Sequence, residues 1–129
     1  VTVALVAAGI AGAIAAASHA GMFVVESLLF GRDGTRRMLE VPEAHAEAVR
    51  LWAHHQGVYN LLLAAIAAAG LVALALGSTT VAQSLLLASG SAMVAAALAL
   101  LAVDRRRERV PGFLAQALPA VACVVALSA

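Results

Sequence analysis

Long uninterrupted apolar runs, rather than an alternation of apolar and polar positions, organise this chain. Four of them stand out: Val1–Phe30, Leu51–Leu76, Thr80–Val103 and Val110–Ala129. Each approaches or exceeds the roughly 20 residues that a helix needs to cross a hydrocarbon core of about 30 Å. A closed β-barrel, the other way to span a bilayer, would require a period of two, and none is present. Stretches such as Leu61–Leu76 are rich in Ala and Leu, which favours helix. The expected fold is therefore an all-α integral membrane protein, an antiparallel four-helix transmembrane bundle forming one domain over residues 1–129. The first run is too long for the apolar part of a signal peptide and reads as a true span.

The charged residues sit between the runs. Residues 31–50 carry Arg32, Arg36, Arg37 and Arg50 among Asp33, Glu40, Glu43 and Glu47, and residues 104–109 form the tract Asp-Arg-Arg-Arg-Glu-Arg. The Gly77-Ser78-Thr79 connection and the two chain ends hold no charged side chain. The positive-inside rule then places both arginine loops in the cytoplasm and both termini outside, an N-out/C-out protein of the cytoplasmic (inner) membrane. Pro42 and Pro111 suit the first turn of a helix. The second helix is expected to start near Pro42 as a cytoplasmic stalk and to enter the membrane around Leu51. Pro119 falls mid-span, where it should kink the helix or free a carbonyl. Gly9, Ala13, Ala17 and Gly21 recur at helical spacing and would permit close approach of a neighbouring helix.

Composition narrows the function classes. Apolar residues make up 64% of the 129 and charged ones 12%, about half the charge content of an average soluble domain. A soluble fold of this size could not bury so much apolar side chain. A net charge of +1 gives no pull toward nucleic acid, so lipid is the first expected partner. All eight basic residues are Arg, clustered as topology signals. Cys123 is alone, so no intrachain disulfide can form.

Ionisable groups inside a span cost about 2.5–3.5 kcal/mol on insertion scales and are functional candidates by default. His19 and Glu26 lie seven residues apart in the first helix, on nearly the same face if that helix is regular. Glu26 falls about one turn from its inner end, with His19 about 16 Å from that end. In the second helix Trp52, His55, Gln56, Tyr59 and Asn60 share an arc of about 140°, with His54 nearly opposite its middle. Gln116 lies a turn and a half into the fourth. Topology and rise per residue bring Glu26, His55, Gln56, Tyr59, Asn60 and Gln116 to one depth, in the cytoplasmic third of the bundle. An ionised carboxylate in that setting needs a partner or must stay protonated, and His55 is the expected partner of Glu26. Interhelical glue is the plainer account of the same cluster, and Trp52 and Tyr59 also suit an interfacial aromatic belt. No span contains a Glu-x-x-His pair, so a di-metal bundle is not expected. His19 and His55 sit at different depths, which disfavours axial ligation of a haem. No cofactor, metal or catalytic set is expected.

Some of these residues carry a resemblance. Phe23-Val-Val-Glu26-Ser-Leu-Leu-Phe30, His55-Gln56-Gly57-Val58-Tyr59-Asn60-Leu61-Leu62-Leu63-Ala64 and Gln116-Ala117-Leu118-Pro119-Ala120 look like elements of a widespread family of small bacterial four-span membrane proteins. That family is known as a domain of unknown function, family 1304. Its signature Asn-Gln-Gly-x-Tyr-Asn-x-Phe-Leu-Ala resembles the middle stretch, with His55 standing in place of Asn. The last helix carries its Gln-x-x-Pro-Ala element, while the Gly-x-Tyr-Gly pattern of its third helix is missing after Gly90. The resemblance implies the four-span scaffold and draws attention to Glu26, Gln56, Tyr59, Asn60 and Gln116. It implies no activity.

The expected function is that of a small-molecule- or ion-binding membrane protein, transport-related, with a pocket open to the cytoplasm. Glu26 would supply charge or a proton, and Gln56, Asn60 and Gln116 orienting hydrogen bonds. Transport by so few helices would call for a homo-oligomer. The alternatives are a non-catalytic accessory subunit of a larger membrane complex, and a membrane enzyme using Glu26 or His55 as acid–base group.

Overall fold

The computed structural model of the chain describes residues 2–104 and 106–128. Val1, Arg105 and Ala129, assigned above to the first span, the second arginine tract and the last span, lie outside the described residues. The chain is an antiparallel bundle of four long helices. Helix α1 covers Val3–Phe23 and continues into a π-helical turn, Val24–Leu28. A short helix, α2, covers Asp33–Met38 within the first charged loop, where no helix was expected. A 3-10 turn at Glu43–His45, with Pro42 just before it, leads into α3, Ala46–Ala75. Helix α4 is Thr79–Val103, and α5, Val110–Ser128, follows a 3-10 turn at Arg107–Arg109 and runs through Pro119. All four long helices have the length and mean hydropathy to cross a membrane, so the protein is a multi-pass membrane protein in contact with lipid. Around the bundle the order is α1, α3, α4, α5, each helix packing on its two neighbours.

Small residues set this packing. In lipid an apolar side chain gains nothing by leaving the tails, so helices associate where their backbones can approach and van der Waals contact is densest. The buried positions of α1 are Ala8, Gly12, Ala15 and His19. This stripe lies beside the expected Gly9, Ala13, Ala17, Gly21 line, of which Ala13, Ala17 and Gly21 are exposed. The buried line of α3 is Gly57, Asn60, Ala64, Ala67 and Gly70. Leu86 of α4 fills the gap these small residues leave. Its Cδ2 lies 3.0 Å from where a Cβ on Gly12 would stand, and its Cγ 3.0 Å from the same point on Gly70. One long side chain from α4 thus reaches both α1 and α3, at 1% exposure.

The two arginine segments meet at one end of the bundle. Helix α2 closes with a Schellman turn, in which Glu40 N–H donates to the Arg37 carbonyl and Val41 N–H to that of Arg36. The position that usually takes glycine is filled by Glu40, at φ 56°, an uncommon conformation for a residue with a Cβ. From there its carboxylate pairs with Arg106 at 2.9 Å and Arg109 at 3.2 Å. Arg106 also pairs with Asp104 at 2.7 Å, and Arg109 Nη2 donates to the Leu39 carbonyl. Arg36 pairs with Asp33 and donates to the Gly31 carbonyl at 2.7 Å, fastening the exit from α1.

Hydrogen bonding from Arg106, helped by the charges of Arg106 and Arg109, pulls the Asp104 carboxyl down from 3.8 to about 2. A carboxylate depressed on folding stabilises fully above its unfolded value, and the contribution disappears as pH falls through the folded one. The wild-type unfolding midpoint in detergent should therefore drop between about pH 4 and pH 2. Asp104→Asn should start lower at pH 6 and lose less over the same interval. Parallel pH profiles for the two proteins would show that Asp104 contributes no linkage.

Candidate functional site

The site grows from an irregularity in α1. Between Val24 and Leu28 the helix widens by one residue, and Leu29 N–H donates to the carbonyl of Val24, five residues back, at 2.9 Å. Such turns shift the phase of everything after them and are frequent at functional sites. Here the turn presents Glu26 and Ser27 together to α3. Gly57 is what admits them. A Cβ on Gly57 would lie 2.2 Å from Ser27 Oγ and 3.2 Å from Glu26 Cβ, so any other residue would push the π turn away. The close approach leaves two interhelical hydrogen bonds. Asn60 Nδ2 donates to Glu26 Oε2 at 2.8 Å, and Ser27 Oγ donates to the His54 carbonyl at 3.2 Å.

Toward the arginine end the two helices diverge around a cleft of about 470 Å³. Glu26, Ser27, Phe30 and Gly31 line it from the α1 side, and Glu47, Arg50, Leu51 and His54 from α3. Glu26 and Ser27 lie farthest along it from the loops. Glu47 and Arg50 pair with each other at 2.8 Å and are largely exposed. Phe30, among the lining residues, is itself buried to 4% exposure. The cleft therefore offers a carboxylate held by an amide, apolar sides and a polar mouth, in a volume within the range of small-molecule sites.

The structure brings together only part of the cluster expected from helix geometry. Glu26 and Asn60 are bonded to each other, and Asn60 rather than His55 is the carboxylate's partner. His55, Gln56 and Tyr59 are exposed on the outer face of α3, beside Trp52. Trp52, expected within the same arc, is 71% exposed and Tyr59 63%. His54, placed nearly opposite the arc, lines the cleft. The reason is rotation: α3 turns its small residues inward, and the line through His54, Gly57 and Asn60 follows them. Gln116 is half-buried on α5 and is not among the residues lining the cleft. His19 is buried in the bundle, its Nδ1 against the carbonyl of Ala15 one turn back at 3.0 Å. It is a residue of the packing stripe and does not line the cleft.

Helical spacing from Glu26, which puts Phe30 one turn on along the same face, did not single out Ser27, Arg50 or His54. The signal available in the sequence was Gly57, small and seven residues before Ala64, with His54 one turn ahead on the same face.

No curated protein and no solved structure matches the chain. A family model described as "Protein of unknown function (DUF1304)" matches residues 3–128. Since that span takes in all four long helices and both halves of the cleft, the chain belongs to the DUF1304 family.

Proposed function

We propose that this protein binds a small molecule or ion in the cleft between the end of α1 and the start of α3, in a role related to transport. The cleft opens toward the arginine-bearing side, which we assign to the cytoplasm, in an inner membrane. The observation that carries this reading is the Glu26–Asn60 bond at the inner part of an otherwise apolar-walled cleft. An ionised carboxylate at that depth is expensive unless a cation compensates it, and the amide of Asn60 is neutral. The ion pairs joining Glu40 to Arg106 and Arg109 put both arginine segments at one end, which favours a single compartment for them.

Native mass spectrometry of the gently extracted protein tests the reading. The wild type should retain a low-mass or lipid adduct that Glu26→Gln releases. Gln keeps a carbonyl oxygen for Asn60, so the variant is expected to fold. Equal adducts on both proteins, or none on either, would count against the cleft as a binding site.

A second reading draws on the outer face of α3. Trp52, His55, Gln56 and Tyr59 form a stripe at i, i+3, i+4 and i+7 that the bundle leaves uncovered. Polar groups turned toward lipid are satisfied when a neighbouring helix covers them, which suits an accessory subunit of a larger membrane complex. Such a protein should co-purify with partner chains, and that association should survive Glu26→Gln.

A further inference from the structure

We infer that the ligand of this cleft is an organic ammonium group on a small apolar carrier, either a free amine or the amine headgroup of a phospholipid. The inference rests on the reading of the cleft as a binding site and adds the chemistry of what enters it. Formal charge is the first argument. Of the three charged residues lining the cleft, Glu47 and Arg50 neutralise each other at 2.8 Å. Glu26 has the neutral amide of Asn60 on Oε2, and none of the ion pairs among the described residues includes it. In its ionised form Glu26 is then a negative charge that no cation among the described residues pairs with, and an entering cation would favour that form. An anionic ligand would meet repulsion from it.

The second argument separates an organic cation from a metal ion. Hard divalent cations require about six oxygen ligands in close array. The cleft offers one carboxylate at depth, and Ser27 Oγ is already turned to the His54 carbonyl. Among the described residues no three His, Cys, Asp or Glu side chains are grouped to hold a metal ion. A volume of about 470 Å³ greatly exceeds what a bare ion needs, since water occupies about 30 Å³ per molecule. The third argument is the walls. Phe30 and Leu51 line the space together with Glu26, and apolar flanks beside a carboxylate favour a weakly hydrated alkylammonium over a strongly hydrated inorganic ion, which gives up its water at greater cost.

Position leaves two sources for such a group. The cleft lies where α1 gives way to the loop at Gly31 and α3 reaches Arg50, level with the change from apolar span to charged loop. A soluble amine could enter there from water, and a headgroup from the adjoining leaflet.

The test uses the full chain in nanodiscs of phosphatidylglycerol alone, which contain no amine. Tetramethylammonium chloride and ethanolamine hydrochloride are titrated against thermal unfolding, with sodium chloride and sodium acetate as matched-salt controls. The ammonium salts should raise the midpoint saturably and the sodium salts should not. Glu26→Gln should weaken the apparent affinity at least tenfold. If the natural source is a headgroup, adding phosphatidylethanolamine to the discs should abolish the response to soluble amines. Native mass spectrometry should then show that lipid on the wild type and less of it on Glu26→Gln. Saturable, Glu26-dependent binding of acetate or sodium in place of the amines would overturn the ammonium assignment and leave the binding site standing. No saturable response to any titrant, with identical lipid adducts on wild type and Glu26→Gln, would overturn both.

Discussion

Gly57→Ala should destabilise the bundle by about 1–3 kcal/mol, the usual cost of overpacking a close contact. Gly57→Leu should go further and part the π turn from α3. The added Cβ would stand 2.2 Å from Ser27 Oγ, which rotation of one side chain can relieve. It would also stand 3.2 Å from Glu26 Cβ and 3.3 Å from Ser27 Cβ, where relief requires the backbone of α1 to move. That movement would lengthen the 2.8 Å bond between Asn60 and Glu26, so adduct retention should fall along with stability. The unfolding midpoint in mixed detergent reads the first effect and native mass spectrometry the second. Removing the obstructing hydroxyl with Ser27→Ala should recover part of the loss in the double variant, because the two positions share one contact. Strict additivity of Gly57→Ala and Ser27→Ala would mean that the clash is not what destabilises the protein.

Leu86→Ala should lower stability by about 2 kcal/mol, at the low end of the range for large-to-small changes in water-soluble cores. The transfer part of that range is missing in a bilayer, where a truncated side chain loses packing but no hydrophobic driving force. Packing alone is substantial here, since Leu86 touches the glycine positions of both α1 and α3 and is 1% exposed. Its loss would leave a cavity that the rigid glycine stripes cannot close. Leu86→Met, nearly the same volume, should recover most of the difference. An Ala variant with an unchanged unfolding midpoint would show that the bundle collapses around the gap and that Leu86 is no keystone.

The four spans and the antiparallel bundle are legible in the sequence because the requirement is one-dimensional. Enough consecutive apolar residues must cover the hydrocarbon thickness, and no backbone polar group can be left unpaired. Family membership is legible for a related reason, in the short stretches around Glu26, Gly57 and Gln116. The pairing of Glu26 with Asn60 follows in part, since both lie near one depth once the helices are antiparallel.

What the sequence could not decide is rotation about each helix axis. Placing His55, Gln56 and Tyr59 inside assumed that polar groups turn inward, and the regular phase from His19 to Glu26 assumed an unbroken α-helix. In the folded protein Gly57, Ala64, Ala67 and Gly70 face the bundle and carry His54 and Asn60 with them, while the π turn resets the phase of Glu26. The chain by itself determined how many times it crosses and what lies at each depth, because lipid thickness and helical rise act on every residue alike. Only the tertiary structure decided which faces meet. Between helices in lipid the deciding quantity is how closely two backbones can fit, and that depends on both partners at once.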